Sequence, residues 1–182
     1  MITIDGTGLV TGGTNGHGLR SSGSVVQTVQ TYKTDAFNST PGSYTWVDVT
    51  GLSASITTIG SNKVKVTALV NGSAPHDGYN VYMKVVRGST DVGLGDAAGS
   101  ATRCSAAGYW SHQNVTDYST HGLITQLLDS PSAGTHTYKI KTNGFLLSPD
   151  NLQTTLTLQI DQVASLDQVT SPYIIMEYLI KY

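Results

Sequence analysis

The side chains able to do chemistry in this 182-residue chain are few and scattered. Five histidines, His17, His76, His112, His121 and His136, form no H-x-H or H-E-x-x-H pair that would set two imidazoles on one metal ion. The single cysteine, Cys104, can close no intrachain disulfide and has no Cys/His cluster around it. None of the 19 serines sits in the G-x-S-x-G elbow of a serine hydrolase. The run Gly93-Leu94-Gly95-Asp96-Ala97-Ala98-Gly99 imitates a dinucleotide fingerprint, but its third glycine falls one residue too far on and no βαβ unit surrounds it, so it reads as a small-residue loop. Asp91, Asp96, Asp117, Asp129, Asp150, Asp161 and Asp167 lie mostly at the ends of predicted strands, where aspartate shapes turns, and nothing marks two of them as a glycosidase pair. No catalytic residue or metal ligand is nominated, and no cofactor is expected.

Aromatic rings offer a binding chemistry instead. Tyr44 and Trp46 share one face of a predicted strand, and Tyr109 and Trp110 lie side by side near His112 and Tyr118. Trp46, Tyr109, Trp110 and Tyr118 are therefore candidate platform residues for stacking against a glycan. The same rings would equally fill a sandwich core or a subunit seam.

Those rings must be held by a scaffold, and composition points to its class. The chain carries 10 Lys+Arg and 12 Asp+Glu, 12% charged in all, with 20 Gly, 25 Thr and 10 Tyr. Its surface must be covered largely by hydroxyls, amides and backbone, the composition of a turn-rich β protein and not of a helical bundle. A net charge of −2 provides no basic field to gather phosphates, so no nucleic-acid partner is expected. No apolar run approaches the ~18 residues of a membrane span, and Met1–Gly6 lacks the positive start and apolar block of a secretory signal. The expectation is a soluble chain, without a membrane partner, not exported by that route. Its length fits one domain.

Residues 1–23 hold seven glycines, Gly6, Gly8, Gly12, Gly13, Gly16, Gly18 and Gly23, with little to bury. They are expected to form an extended arm that a second component immobilises, with Ile2, Ile4, Leu9 and Val10 as its apolar anchors. Residues 24–182 read as short Val/Ile/Thr/Tyr-rich strands: Ser24–Tyr32, Ser43–Thr50, Leu52–Ile59, Asn62–Asn71, Tyr79–Arg87, Ala101–Ser111, Leu123–Asp129, Thr135–Thr142, Leu152–Ile160 and Tyr173–Tyr182. Between them stand turns such as Gly60-Ser61-Asn62, Gly88-Ser89 and Asn143-Gly144. Val64, Val66, Ala68 and Val70 alternate with Lys63, Lys65 and Thr67, and Tyr138 and Ile140 alternate with Lys139 and Lys141, so these strands have one buried and one wet face. Ile174, Met176, Tyr178 and Ile180 form one apolar face of a terminal strand that is apolar on both sides, a candidate oligomer seam. The fold class is all-β: an antiparallel, jelly-roll-like β-sandwich of about ten strands with an extended N-terminal arm.

The order of motifs resembles a known group. Ser24-Val25-Val26-Gln27-Thr28-Val29 precedes Tyr44-Thr45-Trp46-Val47-Asp48-Val49-Thr50-Gly51-Leu52-Ser53-Ala54-Ser55-Ile56-Thr57, then Ser61-Asn62-Lys63-Val64-Lys65-Val66, then Val85-Val86-Arg87-Gly88-Ser89-Thr90. Leu127-Leu128-Asp129-Ser130-Pro131 and Thr137-Tyr138-Lys139-Ile140 follow, and Ile2-Thr3-Ile4-Asp5-Gly6-Thr7 opens the chain. This is similar to bacteriophage virion structural proteins of the tail-fibre-like or decoration β-sandwich group, with their "VLQVV", "YVDTGLSASITPSSASNKILV", "LLRGST" and "YLDSP…TYKV" segments. The chain departs from that pattern at Thr57-Thr58-Ile59-Gly60, where a proline is expected, and it has no coiled coil, collagen-like repeat or long shaft.

The resemblance implies a non-enzymatic β-sandwich exposed on the virion surface and assembled as a homo-oligomer, by analogy a trimer. The favoured role is an oligomeric capsid decoration or cement protein, its arm bound to the major capsid protein. The alternative is a tail-fibre or receptor-binding protein, a tail component that recognises host surface glycans.

Overall fold

A computed structural model describes residues 3–4, 10–11, 25–35, 37, 45–59, 62–73, 79–110, 120–143 and 156–163. These residues are all-β. Within the arm, β1 (Thr3–Ile4) pairs antiparallel with β2 (Val10–Thr11), placing Ile4 opposite Val10. Two of the four expected anchors thus share one register position, while Ile2 and Leu9 lie outside the described residues.

Nine further strands form two antiparallel sheets: β3 (Val25–Lys33), β4 (Val47–Thr58), β5 (Lys63–Ser73), β6 (Tyr79–Arg87), β7 (Thr90–Val92), β8 (Ala106–Trp110), β9 (Thr120–Asp129), β10 (Gly134–Asn143) and β11 (Leu156–Val163). One sheet runs β4-β10-β6-β7, with β8 also paired to β6; the other runs β3-β11-β5-β9. The expected strand Tyr173–Tyr182, with the seam residues Ile174, Met176, Tyr178 and Ile180, lies outside the described residues.

The period-two pattern explains why the sheets stack. Val49, Leu52, Ala54 and Ile56 of β4, Val81, Met83 and Val85 of β6, and Tyr138 and Ile140 of β10 turn inward from one sheet. Val64, Val66, Ala68 and Val70 of β5, Leu123 of β9, and Leu156, Leu158 and Ile160 of β11 meet them from the other. Burying these two faces against each other removes their apolar surface from water, the dominant favourable term in folding.

Three sequence expectations change. The strand expected over Ala101–Ser111 begins only at Ala106; Ala101–Ser105 are not in a strand, and the Ala101 N–H donates to the Ala98 carbonyl at 3.1 Å in a turn instead. The stretches Ser43–Thr50 and Leu52–Ile59 are not separate strands: β4 passes through Gly51, whose φ of 86° lets the backbone bulge, and its register against β10 shifts between Lys139 and Lys141. The bulge returns Val49 and Leu52 to the same buried face although three positions separate them. β7 was not expected; Gly88-Ser89 is a tight turn that folds Thr90–Val92 back onto β6, with Arg87 opposite Thr90. Its three residues are too short to show a period.

One polar group ties the sheets together within this apolar interior. Asp129, at the end of β9, accepts a 2.7 Å hydrogen bond from the Tyr138 hydroxyl of β10, and Arg87 Nε of β6 lies 3.0 Å from the same oxygen. Nearby, Gly93 (φ 64°) passes so close to β9 that a Cβ there would stand 2.5 Å from Leu127 Cδ2. Any larger residue would push the connection off the sheet.

Candidate functional site

The five-stranded sheet carries the most heterogeneous outer face, and its register fixes what stands beside what. Lys141 is opposite both Asp48 on β4 and Lys84 on β6, and Asn143 is opposite Tyr82. The β4–β10 ladder ends at Val47↔Thr142, and Trp46, the residue just before β4, continues its direction to the level of Asn143. Tyr82 pairs with Ala107, and Asn80 with Tyr109 on β8. Pleating sends paired residues to the same side. Two adjacent rows result: Trp46, Asn143 and Tyr82, with Tyr109 one step further along, and beside them Asp48, Lys141 and Lys84.

The Lys84 ammonium lies over the Trp46 ring, 4.5 Å from its centroid, and pairs with Asp91 Oδ2 at 2.9 Å. Its side chain is only 12% exposed, whereas the indole is half-buried. The contact therefore bridges β10, joining Trp46, just before β4, to Lys84 on β6. Asn143, the β10 residue beneath that path, is 3% exposed. A desolvated cation–π contact of this kind contributes about 1–2 kcal/mol and fixes the indole's orientation.

The polar rim is tied down in the same way. Asp48 accepts from Lys139 Nζ at 2.8 Å and pairs with Lys141 Nζ at 3.3 Å, one carboxylate oxygen each. The hydrogen bond from Lys139 is the chief reason its carboxyl sits below the ordinary carboxylate range; partial desolvation opposes the shift and Lys141 adds to it. Each lysine keeps unused N–H donors that can reach a ligand. Further along the face the surface is hydroxylic, with Ser55 against Thr137 at 2.7 Å and Thr57 against Thr135 at 2.9 Å.

Of the four expected platform residues, the structure brings Trp46 and Tyr109 to this face, and Tyr109 is 57% exposed. Trp110 pairs in register with Tyr79, and Tyr118 lies outside the described residues. Sequence reasoning did not single out Tyr82, Lys84 or Asp48. Lys139 and Lys141 were legible only as the wet side of a strand.

The outer face of the other sheet differs. Leu69 on β5 is opposite Ile124 on β9, and Lys65 is opposite Leu128. Ile124 is 67% and Leu128 56% exposed, on the strand that ends this sheet. The run Leu123-Ile124-Thr125-Gln126-Leu127-Leu128 is apolar in both phases, a signal the sequence reading passed over.

Groups with reactive potential are engaged separately. The Cys104 thiol is half-buried, and burial raises its pKa, which makes it a poor nucleophile. His136 Nε2 contacts the Ser132 carbonyl at 2.7 Å. Among the described residues no three His, Cys, Asp or Glu side chains stand together as metal ligands, and no helix is long and apolar enough to cross a membrane. No protein-family model matches the chain, and no curated protein matches it.

Proposed function

We propose that this chain is a non-enzymatic structural protein of a bacteriophage virion, exposed on the particle surface and working as a homo-oligomeric capsid decoration protein held by its N-terminal arm. The observation supporting assembly is the exposed pair Ile124 and Leu128 on β9, with Leu69 of β5 opposite Ile124; among the described residues β9 ends its sheet. An open edge beside exposed apolar side chains invites pairing, and natural β proteins cover or charge such edges unless they are used. The proposed occupant is a second copy of the chain, because one interface then covers both the exposed pair and the edge. Trimeric symmetry and the jelly-roll-like, about ten-stranded form of the sandwich come from the resemblance of the motif order and belong to the proposal. Major capsid protein is the proposed partner of residues 1–23.

Electron microscopy of intact particles is the test: hundreds of copies over the head are expected, and a handful at the tail would replace this role with the receptor-binding one. Light scattering after Ile124→Lys with Leu128→Glu should show monomers. A soluble oligomer of unchanged size would remove the β9 pair from the interface. A specific observation favours the receptor-binding alternative, namely the Trp46 and Tyr109 face.

A further inference from the structure

We infer that the outer face of the five-stranded sheet binds an anionic saccharide, with Trp46 as the stacking platform and Lys141 and Lys139 as the groups that meet its carboxylates. The inference deepens the receptor-binding reading of this face, yet it does not depend on where the protein sits on a particle.

The platform is preorganised. An exposed tryptophan normally samples several rotamers, and ordering it on binding offsets part of the gain. Here Lys84, itself held by Asp91, stands against one face of the ring and limits the rotamers the indole can take. A partly exposed indole held in one place suits a ligand with a flat, weakly polar C–H face and a polar perimeter, which describes a pyranose.

The perimeter is matched as well. Asp48 and Lys141 are one strand step, about 7 Å, from the Trp46 row. A pyranose stacked on the indole therefore places its ring substituents over a carboxylate acceptor and an ammonium donor. Among the described residues, three lysines (Lys84, Lys139, Lys141) against two carboxylates (Asp48, Asp91) give this face one positive charge in surplus, within a chain whose net charge is −2. The surplus resides in the Lys139–Asp48–Lys141 group, since Lys84 and Asp91 neutralise each other. A sugar carboxylate is the complement to that surplus, which is why a uronic-acid saccharide is preferred here to a neutral one.

Extent follows from the strand spacing. Trp46, just before β4, and Tyr109 on β8 are separated by β10 and β6, three inter-strand steps or about 14 Å across the strands, plus about 7 Å along them, with Tyr82 between them. A short oligosaccharide laid across the strands would contact all three rings.

Titration calorimetry of the full chain with pentagalacturonate, and separately with neutral maltopentaose, tests the inference. Saturable binding of pentagalacturonate is expected, weakened about tenfold or more by Trp46→Ala. Lys141→Ala should weaken it about two- to fivefold, the range of an exposed ion pair, without altering the response to maltopentaose. Should Trp46→Ala fail to melt cooperatively, Lys141→Ala and Tyr109→Ala carry the test, because both change exposed or partly exposed side chains. The inference is overturned if wild type shows no saturable binding of pentagalacturonate, if Trp46→Ala folds and binds as tightly, or if maltopentaose binds equally well and Lys141→Ala has no effect. None of these results bears on the head-or-tail location, which microscopy reads independently.

Discussion

Replacing Asp129 by alanine should weaken the sandwich more than any other single change at a polar residue in its interior. The carboxylate stands between the sheets, accepting from the Tyr138 hydroxyl at 2.7 Å with Arg87 Nε at 3.0 Å, and both it and Arg87 are largely buried. Removing one partner of a buried pair costs about 3–5 kcal/mol, because the charge left behind loses its compensation. Arg87 retains some water contact, so we expect about 2–4 kcal/mol. Tyr138→Phe removes one hydrogen bond to a charged acceptor but leaves the ion pair, and should cost about 1–2 kcal/mol. Because the two groups share an oxygen, the double variant should lose less than the sum, with a coupling of about 1–2 kcal/mol. Urea midpoints at constant slope measure all four species. A loss below about 1 kcal/mol for Asp129→Ala, or strict additivity, would refute the view that this group clamps the sheets. A pH signature accompanies it. Burial, then the hydrogen bond to Asp129, raises the Tyr138 pKa above its ordinary value of 10.0. The fold thus favours the neutral phenol, and this stabilisation is complete below about pH 10 and declines above it, where the unfolded chain ionises first. In the alkaline limb, wild type should lose up to about 1.4 kcal/mol per pH unit more than Tyr138→Phe.

Three further outcomes are expected. The buried Thr142 hydroxyl has no hydrogen-bond partner among the described residues, so Thr142→Val should stabilise the protein by about 1 kcal/mol, read as a raised urea midpoint; a loss would mean that the hydroxyl is satisfied. Because its partners lower the Asp48 pKa, this residue contributes stability above about pH 4 that is lost as pH falls through the lowered value. Asp48→Asn should accordingly flatten the acid limb of the stability curve, and an unchanged limb would count against the Lys139–Asp48–Lys141 group. Deleting residues 1–23 should leave a folded oligomer that no longer attaches to particles, measured by co-sedimentation; unfolding, or undiminished attachment, would defeat the anchoring role of the arm.

The residues that were easy to read in the sequence obey a local rule, and those that were not depend on contacts between distant strands. Alternation placed β5 and β10 and the inward faces of both because period two is a property of one strand alone. Gly51 was read as a break between strands because a glycine in a strand signals either a turn or a bulge, and only the partner strand decides which. Tyr109 and Trp110 looked like a pair because they are neighbours in the chain, yet sequence adjacency does not set two rings on one face of a strand. The pairing that does form the platform joins Trp46 to Lys84 across β10, and Trp46 to the Tyr109 face across three strand steps, through an order, β4-β10-β6-β8, that no local pattern encodes. Sheet order therefore builds the two outer faces on which the proposals rest. Among the described residues, ending one sheet at β9 leaves Ile124 and Leu128 exposed, and placing β10 between β4 and β6 brings Lys84 onto the Trp46 ring and Lys141 into the neighbouring row. Under the assembly proposed above, one outer face carries the subunit contact while the other, with Trp46 and its lysines, remains free for a ligand.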